Sequence, residues 1–259
     1  MTDGRCYSPL AKPTDKMTAI FRKEINAFFS SLIGYVVIAV FLIVMGLFLF
    51  VFPDTSLLNY GYATLGPFFT LAPNILLFLI PAVCMRAFAE ERQTGAIELL
   101  VTRPLRDIEI VMGKFLACLT LVVIALLPTA LYYYTIYQLG APVGNIDAGG
   151  TLGSYLGLLF LSMAFVAIGL LASSLTRNQI VAFLLALAIT FWCYFGFDYL
   201  ASLPIFYGNG DVFIASLGMQ EHFRSLGRGL IDSRDVVYFL SLTAFFILLT
   251  VLSLERRKW

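Results

Sequence analysis

Charge is what this sequence has least of. Asp, Glu, Lys and Arg make up 13% of its 259 residues, while 60% are hydrophobic; soluble domains carry about a quarter charged residues. An ordinary core cannot absorb that much apolar surface, so a bilayer is the better solvent for the chain. The formal net charge is only +1, and no basic patch interleaved with aromatics stands out, which argues against nucleic acid as a partner. Histidine occurs once, at His222, with no cysteine or second histidine in its loop, which argues against zinc. The four cysteines (Cys6, Cys84, Cys118, Cys193) have no paired metal spacing. Three lie inside apolar runs, where packed thiols are expected. A phosphate-binding loop is missing too. Gly113-Lys114-Phe115 has neither the upstream glycine nor the Ser/Thr that magnesium needs, so no nucleotide hydrolysis is expected from this chain alone.

One motif imitates an enzyme. Gly208-Asn209-Gly210-Asp211 fits the GxGD pattern of intramembrane aspartyl proteases, with Asp198 as a second carboxylate. Such a site needs two carboxylates facing each other from adjacent membrane helices. Here no span separates them, and a Gly-Asn-Gly turn explains the residues better. No nucleophile, base or metal set converges elsewhere, so the chain reads as a non-enzyme.

What the sequence has instead is apolar runs. Six are long enough to span a hydrocarbon core of ~30 Å at ~20 residues each. They cover about 32–52, 65–86, 112–136, 152–175, 179–198 and 236–254. Backbone amides in lipid need internal partners, so each run is expected to be a helix, and the fold class is an all-α membrane protein. Prolines 67, 73, 81 and 128 fall within or at the ends of the second and third runs and are expected to kink them. Ahead of the first run, Phe21, Ile25, Phe28 and Phe29 share one face of a helix, with Arg22, Lys23, Glu24 and Asn26 on the remainder. That pattern predicts an interfacial amphipathic helix. Residues 1–16 are polar with two prolines and read as a disordered tail rather than a signal peptide, leaving 17–259 as one membrane domain.

Orientation follows from lysine and arginine. With the N-terminus in the cytoplasm, fourteen of the seventeen fall inside, and only Arg224, Arg228 and Arg234 fall outside. Both termini are then cytoplasmic. Segments 53–64 and 138–151 become short external turns, and 199–235 the longest external stretch. Its charges (Glu221, Arg224, Arg228, Asp232, Arg234, Asp235) nearly balance. They fit either a solvated amphipathic helix or a substrate-contacting site. Small residues Gly153, Gly157 and Ala164 in the fourth run, and Ala182 and Ala186 in the fifth, predict close helix packing, within the chain or at a dimer seam. Ionisable residues are almost absent from the runs, which speaks against a proton-driven transporter.

The segment EERQTGAIELLVTRPL, residues 90–105, is the exception: three carboxylates and two arginines between two apolar runs. Thr94 and Gly95 allow a turn, and Thr94 is expected to cap a short helix over 96–103 that Pro104 stops. Asp107 is expected to cap the helix after it. The segment reads either as a loop on lipid headgroups or as a rigid plug for a partner's groove.

MRAFAEERQTGAIELLVTRPLRDIEIVMGK resembles the segment that joins the second and third spans of ABC-2 type permeases. The stretches at 21–37, 153–183 and 221–242 are similar to gliding-motility-associated ABC transporter permeases of Bacteroidetes. Thr-Gly-Ala at 94–96 stands where Ser-Gly-Thr is expected, and residues before Met17 have no counterpart. The resemblance implies an ABC-2 (type V exporter-like) permease fold in the inner membrane. It also implies a coupling helix in which Glu90, Glu91, Arg92, Thr94, Gly95, Glu98, Leu99, Arg103 and Pro104 contact a cytoplasmic ATP-binding subunit. ATP and magnesium would be bound by that partner and no cofactor by this chain. A second permease-like subunit with a large extracytoplasmic domain, and membrane lipid, are the other implied partners. An alternative is a structural subunit that moves a partner's external domain without transporting anything.

Overall fold

The computed structural model describes residues 13–58, 61–95, 106–204, 208, 210–228 and 232–256, the side chains of residues 13–16 and 33 excepted. Among them 6 helices are long and apolar enough to cross a membrane, one for each expected run. Helix α1 (Pro13–Ser30) precedes them and begins inside the segment read as a tail. Residues 1–12 lie outside the described residues. The first span is α2 (Leu32–Gly46), which ends in a π-helical turn at Leu47–Val51. The second is α3 (Gly66–Gln93), a single helix through Pro73 and Pro81 that runs well past the expected end near Arg86. Proline at the second helical position, Pro67, removes an amide that would be orphaned anyway. The third span is α4 (Asp107–Leu126) with α5 (Ala130–Leu139), joined at Pro128 by a 3₁₀ turn.

The fourth span, α6 (Ala148–Leu175), is the axis of the bundle: 78% of its apolar window is buried, against 22% for the first span and 28% for the fifth and sixth. Asp147 caps its start by accepting from the Gly150 amide at 2.9 Å. The fifth span starts behind Asn178, whose Oδ1 accepts from the Ile180 amide at 2.8 Å. It is made of α7 (Gln179–Phe191), a π-helical turn at Trp192–Gly196, and α8 (Phe197–Ala201). Two short helices follow, α9 (Asp211–Ala215) and α10 (Met219–Leu226), and then the last span α11 (Ser233–Glu255), capped by Asp232. Spans α2, α7 and α11 leave Val40, Ile43, Leu184, Trp192, Phe245 and Leu248 exposed, which suits lipid and not water.

The bundle has two distinct ends. At the base, α1, the end of α3, the start of α4 and the ends of α6 and α11 converge. The Ser173 hydroxyl of α6 accepts from the Phe88 and Ala89 amides of α3 and donates to the Met85 carbonyl, and Ser174 meets Ser253 of α11 at 3.1 Å. At the opposite end, α10 lies on the first turns of α6. The five small residues singled out in the sequence are all buried. Gly157, however, faces Leu226 and Phe223 of α10 rather than the fifth span: a Cβ there would stand 3.2 Å from Leu226 Cβ. A tighter contact lies at Gly169, where a Cβ would stand 2.6 Å from Cys84 Cβ of α3. The single histidine also serves packing. His222 Nδ1 meets Asp235 Oδ1 at 2.6 Å, its Nε2 meets the Ser216 carbonyl at 2.8 Å, and its ring stacks on Tyr238. It thereby ties α10 and the turn before it to α11.

Candidate functional site at the base of the bundle

The base is built around a lysine. Lys114 lies seven residues into α4 and is 1% exposed, a position that a charge can occupy only with partners. Its Nζ donates to Glu24 Oε1 of α1 at 2.8 Å and to the Ala87 carbonyl of α3 at 2.6 Å. Glu91 Oε2 lies 3.0 Å away as an ion contact without hydrogen-bond alignment, consistent with that oxygen having no hydrogen-bond partner among the described residues. The face of the Phe88 ring, 5.1 Å from Nζ, adds a cation–π contact. Lys23 of α1 donates to Glu91 Oε1 at 3.0 Å. Two ammonium groups and two carboxylates therefore balance, and the two carboxylates are each 13% exposed. Around them Arg86 and Glu90 pair along α3, one turn apart at 2.8 Å.

Glycine makes the cluster possible. A Cβ at Gly113 would stand 2.8 Å from Ile20 Cγ2 and 3.2 Å from the Met17 carbonyl, so α1 can lie this close to α4 only over a residue with no side chain. The inward face of α1 is Ile20, Glu24 and Phe28, at a spacing of four. This corrects the expectation for the helix on two counts. Glu24, placed on its polar remainder, turns inward to Lys114, while Phe28 is buried in the chain and Phe21, Ile25 and Phe29 are half-buried. Phe29 packs edge-on to Tyr35 of α2. The turn into α2 closes tightly at Gly34, where a Cβ would stand 2.7 Å from the Phe28 carbonyl oxygen.

The residues expected to touch a partner separate into groups. Glu91 is engaged inside the chain. Arg92 is 6% exposed, and none of its three guanidinium nitrogens has a hydrogen-bond partner among the described residues. Glu90 is half-buried and Thr94 and Gly95 are exposed. The helix that Thr94 is expected to cap, over 96–103, lies outside the described residues. Thr94 closes α3, its hydroxyl donating to the Glu90 carbonyl at 2.9 Å, because carbonyls at a helix end lack intrahelical donors. Gly95 follows with φ of 73°, the left-handed step that ends many helices. On the far side, α4 starts one residue earlier than the expected cap: Arg106 is its N-cap residue and Asp107 its first helical one. The Arg106 amide donates to Glu109 Oε2 at 3.2 Å, and both carboxylates suit the helix N-terminus. Glu98, Leu99, Arg103 and Pro104 lie outside the described residues.

The two aspartates of the protease-like motif both have other partners. Asp198 is bound 3.5 Å from Arg224, and Asp211 accepts from the next amide, Val212, at the start of α9. Among the described residues no group of His, Cys, Asp and Glu could hold a metal ion. The base thus holds three helices, α1, α3 and α4, together through one charge cluster.

No curated protein matches the chain. The sequence profile of one family, described as ABC-2 family transporter protein, matches residues 54–216. That match covers more than half of the 259 residues and runs from the turn before α3 to the end of α9, both flanks of segment 90–105 included. The chain belongs to the ABC-2 family of transporter proteins.

Proposed function

We propose that the chain is the permease component of an ABC transporter whose ATP is hydrolysed by a separate cytoplasmic subunit, and that segment 90–105 is the coupling element between them. The observation that carries this reading is the Lys114 cluster. It joins α1, α3 and α4, the helices on both sides of the segment, so a push on the segment moves three elements as one. The lysine and arginine distribution supports a cytoplasmic base with both termini on that side of the inner membrane. The resemblance to gliding-motility-associated permeases supports that process as the setting and a second permease-like subunit with an external domain as a further partner. Six spans are half of what such a pathway usually requires, which supports a dimer of permease chains.

Glu91 holds the clamp, Glu90 and Thr94 flank the exit, and residues 96–105 carry the contact itself. The test is Glu98→Arg. An opposed charge in a partly desolvated groove makes this reversal cost about 2–5 kcal/mol of partner binding. On a loop facing anionic lipid it would cost nearly nothing. Co-purification with the ATP-binding subunit should therefore be lost while the permease keeps its yield and melting temperature. Full retention of the partner and of its stimulated ATPase would contradict the assignment.

A further inference from the structure

At the end opposite the base, a cavity of about 380 Å³ opens between the first turns of α3 and α6, the π-helical turn of the fifth span and α10. Five features make it a built site. Tyr194 and Ser154 line it with side chains 5% and 4% exposed, and neither hydroxyl makes a hydrogen bond among the described residues. Each hydroxyl without a protein partner takes its hydrogen bonds from what fills the cavity it lines. Water can do that, and so can a ligand hydroxyl that replaces the water. Third, Tyr194 sits in the π-helical turn Trp192–Gly196, and such turns frequently mark functional sites. Gly196 makes room there for Trp192, whose ring a Cβ would approach to 2.8 Å. Fourth, Phe69, Phe195 and Phe223 give the cavity an apolar lining, the usual composition of a small-molecule pocket with a few placed polar groups.

The fifth feature is charge. Arg224 is occupied by Asp198 at 3.5 Å and by the side-chain oxygen of Gln220, in the amide orientation that satisfies both its neighbours. Asp147 is occupied in capping α6. Arg228, just beyond the end of α10, lines the cavity with its guanidinium in no ion pair or hydrogen bond among the described residues. The cavity therefore offers two hydroxyls without protein partners among the described residues, C–H-compatible walls, and an exposed cation in its lining.

We propose that this cavity binds a polyol carrying one negative charge, the chemistry shared by a uronate sugar and by the phosphoglycerol headgroup of a lipid. The ligand's hydroxyls replace water on Tyr194 and Ser154, its C–H surface lies on the phenylalanines, and its anion meets Arg228. The site is distinct from the base and does not depend on the coupling assignment.

The experiment uses the full chain in nanodiscs. One arm titrates a glucuronate-terminated disaccharide and its neutral glucose counterpart into phosphatidylcholine discs, read by calorimetry. The other incorporates phosphatidylglycerol with phosphatidylcholine and counts retained phosphatidylglycerol by native mass spectrometry. Tyr194→Phe, which removes only the hydroxyl, should weaken the bound species about tenfold. Arg228→Gln should abolish preference for the anionic probe over the neutral one. The melting temperature of each variant should equal that of the parent chain. Variant-sensitive binding in the first arm identifies a soluble acidic sugar, and in the second a lipid headgroup; either supports the proposal. No binding in both arms, or binding that neither substitution alters, overturns it. Should Tyr194→Phe unfold, Ser154→Ala replaces it with the same expected direction.

Discussion

Lys114 and Arg92 show opposite solutions to a buried cation, and they lie on adjoining helices at one end of the molecule. Lys114 has its acceptors, and its removal would leave Glu24 and Glu91 buried with only Lys23, among the described residues, to compensate. Breaking a buried pair by deleting one member costs about 3–5 kcal/mol. Lys114→Met should therefore lower the stability of the purified chain by that order, read as a clear fall in melting temperature in detergent. Adding Glu24→Gln and Glu91→Gln should recover part of it. Arg92 should behave in the reverse way. Its guanidinium is buried with no hydrogen-bond partner among the described residues, so Arg92→Met should leave the isolated chain as stable or more stable, since an unpaired buried charge is a net cost. The same substitution should weaken the complex with the ATP-binding subunit if an acidic group of that subunit completes the pair. Melting of the isolated chain and co-purification of the complex read the two effects separately. Neither role was legible in sequence. Lys114 is 90 residues from Glu24, and no local pattern joins them. The available signal was a lysine seven residues inside an otherwise apolar helix, which demands a partner.

Elements were read more faithfully than contacts, for a physical reason. Hydropathy is local and lipid forces each long apolar run to satisfy its own amides, so six runs become six helices. Ends were read unevenly: α4 starts within one residue of the expected cap at Asp107, but α3 runs to Gln93, well past Arg86, because charged residues continue a helix once it leaves the apolar layer. Which face of a helix meets which neighbour depends on tertiary packing. Gly157 accordingly meets α10 rather than the fifth span, and α1 turns Ile20, Glu24 and Phe28 inward. Gly113 gives the sharpest test at this scale. A methyl group there would press on Ile20 and on the Met17 carbonyl, so Gly113→Ala must push α1 away from α4. Overpacking of this kind costs about 1–3 kcal/mol. The loss should appear in thermal unfolding, and Ile20→Ala should relieve part of it by removing the nearer contact while the Met17 carbonyl remains. A fully tolerated Gly113→Ala would mean that α1 does not pack as described.

As a whole, the molecule is a lipid-facing bundle on the axis of α6, with a charge-clamped joint at one end and a polar cavity at the other. Family membership and the Lys114 cluster bear on the same segment: the ABC-2 match includes it, and the cluster ties α3 to α4, its two flanks. The central claim is that 90–105 is where a separate ATP-binding subunit pushes. The measurement that tests it most directly is site-specific photo-crosslinking in native membranes with that subunit co-expressed. A crosslinking residue is placed in turn at Glu98, at Asn145 and at Asn209. The account predicts that position 98 gives an adduct with the ATP-binding subunit whose yield changes when ATP is bound, and that 145 and 209 give none. An adduct from 145 or 209, or only lipid adducts from 98 in a folded and normally abundant chain, would contradict it.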